Sequence, residues 1–249
     1  MYHSITFDNV ANTWDRWHLV PSTRPHVSPP ELKTNVVDLP GYNGFVDLSD
    51  LLFLGPTYGQ RKGSWQFIAH PDYHISEPWH YKYSDIMQFL HGKYHTVILE
   101  DDPYFYYEGR LSVNQWATGK SFSQITIDYV LQPFKKEILM SDQDWLWDPF
   151  SFVDGIIRSY KDIVVNGSYQ LRVKTGEERV HPSISNTGSS DIYITYYPNY
   201  GGVTTRKMIS SGTSVTYDDL YFQNDMGVNW PIQFDGNSTV SVSFRGGWL

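Results

Sequence analysis

Cysteine is absent from all 249 residues. That removes disulfides, thiolate metal sites and cysteine nucleophiles, and it fits assembly in a reducing cytoplasm. Long apolar runs are absent too. The most apolar stretch is Leu51-Leu52-Phe53-Leu54, far below the length of a membrane span, and no basic-then-apolar leader opens the chain. The protein is expected to be soluble and unprocessed. Positive charge is in deficit: 19 Lys and Arg stand against 27 Asp and Glu, a formal net charge of -8. Attraction to phosphate backbones is therefore disfavoured. There is no Gly-x-Ser-x-Gly elbow, no phosphate-binding glycine loop, no internal repeat, no low-complexity tract and no coiled-coil heptad. Gly41, Gly44, Gly55 and Gly59 sit in turn contexts instead.

What is abundant points to β-structure. Aromatic residues make up 16% of the chain, with 19 Gly and 14 Pro to punctuate turns, and the length favours two medium domains over one large one. In Gly63–Ala69, Trp65, Phe67 and Ala69 alternate with Ser64, Gln66 and Ile68, as a half-buried strand requires. Ile125, Ile127, Tyr129 and Leu131 alternate in the same way with Gln124, Thr126 and Asp128. Ser4–Phe7, Lys33–Leu39, Phe45–Leu48, Thr96–Leu99, Leu111 and Val113 complete the strands of the first half. Pro40-Gly41-Tyr42-Asn43-Gly44 predicts a hairpin turn between two of them. Pro21, Pro25, Pro29 and Pro30 exclude a helix from the loop they punctuate.

One helix is expected. Trp79, Tyr83, Ile86 and Leu90 share a face at helical spacing; Ser76 suits the N-cap, Glu77 and Pro78 the first turn, and Gly92 the stop. An acidic corner, Glu100-Asp101-Asp102-Pro103, follows the next strand. After Pro133 the period is lost until about Tyr160, so the domain boundary is placed near Glu137, giving domains 1–137 and 138–249. Trp145, Trp147, Phe150 and Phe152 lie in that aperiodic stretch and are too aromatic for a floppy linker; they are assigned to a seam between domains or against a partner chain. The second half reads as short strands: Ile163–Val165, Tyr169–Val173, Ile192–Tyr197, Val203–Met208, Val215–Tyr217 and Val240–Phe244. Asn166-Gly167, Asn186-Thr187-Gly188, Ser211-Gly212 and Asp235-Gly236-Asn237 separate them at the spacing of a sandwich or jelly roll.

Candidate chemistry is sparse. Glu100, Asp101 and Asp102 could hold calcium or serve as an acid and base pair on an aromatic-rich sugar cleft, but adjacent carboxylates in one turn are not thereby set facing each other across a substrate, and a solvated turn accounts for them better. His70 and His74, and His91 and His95, have zinc-like spacing for a helix, yet Pro71 and Gly92 interrupt the two pairs, which favours surface or satisfied core histidines. No catalytic, cofactor-binding or metal-binding residue is assigned. Second-half aromatics could form a sugar platform, although a β-sandwich core needs the same residues. Asn166-Gly167-Ser168 and Asn237-Ser238-Thr239 match the glycosylation acceptor pattern, which has meaning only in a eukaryotic secretory route.

An ordered series of segments carries more weight than any one site. It runs through Thr13-Trp14-Asp15, Trp17-His18-Leu19-Val20-Pro21-Ser22, Arg24-Pro25, Pro29-Pro30-Glu31, Lys33-Thr34-Asn35, Asp38-Leu39-Pro40-Gly41, Asp47-Leu48-Ser49, Tyr58-Gly59-Gln60-Arg61 and Gly63-Ser64-Trp65-Gln66-Phe67. It continues through Tyr83-Ser84-Asp85-Ile86-Met87, Leu90-His91-Gly92, Leu99-Glu100-Asp101-Asp102-Pro103, Tyr106-Tyr107-Glu108-Gly109-Arg110 and Ile127-Asp128-Tyr129. Over residues 1–137 this series resembles the siphophage distal tail proteins, the Dit family; beyond it the resemblance is one of strand spacing alone.

The resemblance implies a mainly β fold. A tail-tube-like β-sandwich or barrel with one flanking helix would be followed by a galectin-like β-sandwich. It implies a non-enzymatic virion protein forming a hexameric hub ring at the far end of a long non-contractile tail, assembled in the host bacterial cytoplasm. Its partners would be further copies of itself, the tail tube protein, tail-tip or baseplate proteins, and receptor-binding or side-fibre proteins; DNA would pass through the lumen without specific binding. At this length the short form without an inserted carbohydrate-binding domain is expected. A closed ring needs a heterologous contact, and extended hairpins of the first domain are expected to supply much of it. Leu51, Leu52, Phe53 and Leu54 are the candidate inter-subunit contact, with a core strand or buried loop as the competing reading. The alternative function is a carbohydrate-binding module that adheres to cell-wall glycans; a third reading, a glycosidase, would need opposed carboxylates such as Glu100 and Glu108.

Overall fold

The computed structural model describes residues 3–49, 56–69, 79–118, 122–144, 160–197, 203–223 and 231–249. The chain is mainly β and divides into two compact units, Met1–Lys135 together with Leu249, and Lys136–Trp248. The first unit contains β1 (Ile5–Phe7), β2 (Ala11–Asn12), α1 (Thr13–Trp17), β3 (Leu19–Pro21), β4 (Leu32–Lys33), β5 (Val36–Asp38), β6 (Phe45–Asp47) and β7 (Thr57–Tyr58). It continues with β8 (Arg61–Ala69), α2 (Trp79–Leu90), β9 (Tyr94–Leu99), β10 (Phe105–Thr118) and β11 (Ser123–Leu131), and β12 (Lys135–Glu137) follows. The second unit holds β13 (Ile163–Arg172), β14 (Ser183–Asn186), β15 (Ile192–Tyr196), β16 (Thr205–Ile209), β17 (Ser214–Thr216), β18 (Pro231–Ser243) and β19 (Gly247–Trp248). No helix among the described residues is long and apolar enough to cross a membrane.

An antiparallel sheet in the order β2-β1-β9-β10-β11-β8-β3 forms the first unit. Its core follows from side-chain alternation: Trp65, Phe67 and Ala69 on β8 and Ile125, Ile127, Tyr129 and Leu131 on β11 are buried, because side chains two apart share a face. The expected helix is present as α2. Ile86 and Leu90 are fully buried, and Trp79 and Tyr83 pack on the same core; Gly92 follows with φ of 74°, the left-handed conformation that stops helices. Ser76, Glu77 and Pro78 lie outside the described residues. A register shift around Asn114 interrupts β10 opposite β11. It re-aims the strand so that Trp116 pairs with Ile125 and stacks on Tyr83 of α2 at 4.7 Å between centroids.

Several expectations are corrected. Residues 13–17 are helical, although only one helix was read from the sequence. Asn12 caps α1 by accepting from the amides of Trp14 and Asp15 at 2.9 and 3.2 Å, which satisfies first-turn donors. Asp85 of α2 then holds α1 through Arg16 Nη2 at 2.9 Å and Trp17 Nε1 at 2.7 Å. Lys33–Leu39 is not one strand: it breaks at Thr34-Asn35 into the end of β4, which pairs with β7, and β5, which pairs with β6. The aperiodic stretch after Pro133 opens with a strand, β12.

The loop bearing four prolines is pinned across the sheet. Ser28 N donates to Tyr129 Oη at 3.0 Å, Trp65 Nε1 to His26 O at 2.9 Å, and Arg61 Nη1 to Ser28 O at 3.0 Å. Arg61 also donates through Nε to Pro133 O at 2.7 Å. Its guanidinium is buried beneath Tyr107, and burial pushes its pKa below the usual arginine value.

In the second unit β18 is the spine. β13 lies along one side of it from Pro231 to Val240, while β15 and then β14 share the other. Asn166-Gly167 and Asp235-Gly236-Asn237 are therefore not turns: Asn166 faces Asn237 and Gly167 faces Gly236 inside the ladder. β14 was not foreseen, and its last residue ties the place where β18 changes partner. Buried Asn186 donates to Ser190 O at 2.9 Å and Ile209 O at 3.1 Å, and accepts from Ser238 Oγ at 2.6 Å. Within this unit Trp248 Nε1 donates to Glu137 Oε1 at 2.6 Å. Tyr196 and Lys207 both donate to Asp219 at 2.7 Å, and burial with the Asp219 charge pushes the Tyr196 hydroxyl up to about 12 despite the opposing effect of Lys207.

Candidate assembly surface

The first unit carries a hairpin that belongs to neither large sheet. β5 and β6 form their own two-stranded sheet, with Val36 opposite Asp47, Val37 opposite Val46 and Asp38 opposite Phe45. Pro40 and Gly41 make its turn. Tyr42 N donates to Leu39 O at 3.1 Å and Gly41 has φ of 80°, which is the Pro-then-Gly pattern of a type II turn. The base is tied by Leu48 N to Asn35 O at 2.8 Å and by Asn35 N to Ser49 Oγ at 2.8 Å. Ser49 in turn donates to Asp47, and its hydroxyl first, then its amide, hold that carboxyl below the usual range.

Apolar side chains on this hairpin face solvent. Tyr42 is 60% exposed, Phe45 58% and Val36 49%, with Val37 and Leu39 also exposed. A lone two-stranded hairpin is marginal in water, and several large apolar groups on one projection mark a contact site more often than an ordinary surface. Leu51, Leu52, Phe53 and Leu54, the residues first singled out for inter-subunit contact, lie outside the described residues, as do Trp145, Trp147, Phe150 and Phe152.

The acidic corner is built as a latch. Glu100 Oε2 accepts from Ser4 N at 2.6 Å, Asp101 accepts from Arg24 Nε at 2.8 Å and His3 Nδ1 at 2.9 Å, and Asp102 accepts from Lys135 Nζ at 2.7 Å. A merely solvated turn is therefore the wrong picture. The carboxylates fasten distant chain segments together, and the Arg24 guanidinium, with His3, holds the Asp101 carboxyl below its usual range. They point at partners in their own unit and not at one another across a cleft.

The histidines are likewise divided. His91 Nδ1 accepts from Val113 N at 3.1 Å, whereas His95 is buried, stacked on Phe89, with Nδ1 donating to Asp8 at 2.6 Å. His70 and His74 lie outside the described residues. Asp8 also accepts from Thr96 N at 2.8 Å, so it pins the β1–β2 turn to β9. That clamp was missed; its trace in the sequence is Asp8-Asn9, two residues that tolerate positive φ and here adopt 52° and 54°.

No protein-family model matches the sequence, and no curated protein matches it. Among solved structures the fold is similar to the crystal structure of the SPP1 Dit protein (gp 19.1), described as a paradigm of the hub adsorption apparatus in phages that infect Gram-positive bacteria. The two chains are 13% identical with a TM-score of 0.60, over 98% of this chain and 99% of that one. Across its whole length the chain has a Dit-like fold.

Proposed function

We propose that this protein is a structural component of a phage tail, a hub at the tail tip that works through assembly contacts and carries out no catalysis. The observation that supports this most is the end-to-end correspondence of fold with a hub protein, both units included. The exposed β5–β6 hairpin supplies the physical content. Each copy would lay Val36, Tyr42 and Phe45 against a different surface of the next copy, a head-to-tail contact that gives a ring when the rotation between copies closes on itself. The proposed ring is a hexamer joining the tail tube to the tail-tip proteins, with receptor-binding or side-fibre proteins as further neighbours.

Leu51, Leu52, Phe53 and Leu54 follow the hairpin in sequence and are proposed to extend its contact. Trp145, Trp147, Phe150 and Phe152 are proposed to pack in a seam. The net charge of -8 suits a lumen that lets DNA pass without retaining it. Negative-stain imaging of the purified chain tests the assembly reading: annular particles are expected, and Leu52→Asp with Phe53→Asp should disperse them.

A further inference from the structure

Asn-Gly occurs twice in the chain, at Asn43-Gly44 and at Asn166-Gly167. This dipeptide is chemically labile wherever the backbone can fold back on itself, because glycine has no Cβ to block the approach of its own amide nitrogen to the preceding side chain. The two copies sit in opposite surroundings. Asn43 and Gly44 are exposed in the loop that joins β5 to β6, beyond the last ladder pair, Asp38 with Phe45. Among the described residues neither Asn43 nor the Gly44 amide has a hydrogen-bond partner. Gly44 holds φ of 105°, and beyond its chain neighbours the nearest described atom to a Cβ placed on it is Tyr42 Cε1, at 4.0 Å. Exposed loop tips of this kind open most readily.

Asn166 and Gly167 are exposed as well, so accessibility does not separate the two copies. The ladder does. Asn166 lies opposite Asn237 and Gly167 opposite Gly236, inside the unbroken pairing of β13 with β18 that runs from Ile163 to Arg172. The Gly167 amide already donates to Asn237 Oδ1 at 2.9 Å. The nitrogen that would have to attack is therefore occupied, and turning it towards the Asn166 side chain would break strand pairing on both sides.

We propose that Asn43 is a site of spontaneous covalent modification in the folded chain, and that Asn166, in the same dipeptide, is protected by its strand. Gly44 N loses its proton to hydroxide and bonds to Asn43 Cγ; the Cγ–Nδ2 bond breaks, and Nδ2 leaves as ammonia after taking a proton from water, which closes a succinimide. Water then opens the ring at either carbonyl. Cleavage between Gly44 N and the former side-chain carbon leaves aspartate, whereas cleavage between Gly44 N and the former backbone carbonyl carbon leaves isoaspartate, with the chain rerouted through the side chain. Water is the sole co-reactant, and nothing is oxidised or reduced. Residues 36–48 include Asp38 and Asp47 and no Lys or Arg, so either product adds a further negative charge to the hairpin, and isoaspartate also inserts a methylene into the backbone of its loop. The site stands on the geometry of this loop alone and is independent of the assembly reading.

The test is incubation of the full chain in mildly alkaline heavy-oxygen water, followed by peptide mapping that separates aspartate from isoaspartate by mass spectrometry. In the folded chain Asn43 is expected to lose its amide and gain heavy oxygen, with isoaspartate in excess and a rate that rises with pH, while Asn166 converts more slowly by about tenfold or more. In urea strong enough to unfold both units the two sites should convert at comparable rates, because the dipeptide is the same and the ladder is gone. Asn237→Ala frees the Gly167 amide and should speed conversion of Asn166 in the folded chain while leaving Asn43 unchanged. Asn43→Gln lengthens the side chain, disfavours ring closure and should suppress the reaction in this loop. No conversion of Asn43 in the folded chain, equal rates at the two sites there, or a difference of the same size in urea would each overturn the proposal.

Discussion

Gly63 and Tyr129 face each other across β8 and β11 so closely that a methyl group at position 63 would lie 2.3 Å from the tyrosine hydroxyl oxygen. The missing side chain is what lets the Tyr129 ring cross its neighbour, stack on Trp65 at 4.3 Å and receive the amide of Ser28. One small residue thus positions the strap that carries Pro25, Pro29 and Pro30. Gly63→Ala should destabilise the first unit by about 1–3 kcal/mol through overpacking, measured by urea unfolding. Tyr129→Phe keeps the stack and loses the bonded hydroxyl, and should cost about 1 kcal/mol.

The latch at Asp101 gives stability a pH dependence. Its carboxyl is depressed by Arg24 and His3, so its contribution is fully present above the ordinary carboxylate value of about 3.9 and is lost as pH falls through the lower folded value. Asp101→Asn should lower the melting temperature at neutral pH, and the gap to the unaltered chain should narrow below about pH 4. Added salt should shrink the same gap, because Arg24 is exposed.

Asn186 concentrates the polar bonding of the second unit. Asn186→Leu preserves volume but strips the donors from Ser190 O and Ile209 O and the acceptor from Ser238. A loss of roughly 2–4 kcal/mol is expected from buried groups left unpaired, read as a shift in urea midpoint with an unchanged slope.

The parts of the fold legible in the sequence are those where burial on one face imposes a period. β8, β11 and α2 show it because Trp65, Ile127 and Ile86 have neighbours of the right polarity at the right spacing. The β5–β6 hairpin was legible for another reason, since Pro40-Gly41 encodes its turn locally. α1 was not, because five residues are too few for a helical period and only its cap, Asn12, marks it. Asn166-Gly167 and Asp235-Gly236-Asn237 carry turn chemistry, yet the long pairing of β13 with β18 overrides it. The Asp101–Arg24 and Asp8–His95 pairs were invisible for a simpler reason: their members are 77 and 87 residues apart, and nothing local announces such a partner. Exposure of Val36 and Phe45 was also hidden, because β-branched and aromatic residues in a strand normally signal burial.

Assembly through the β5–β6 hairpin can be measured in solution. Phe45→Asp with Tyr42→Ser alters only exposed side chains and should change folding stability by less than about 1 kcal/mol. Sedimentation velocity on the unaltered chain and on this double variant, at matched concentration, tests the claim directly. A ring-sized species is expected for the unaltered chain and a folded monomer with the same far-UV circular dichroism for the variant; identical sedimentation of the two would contradict assembly through this hairpin.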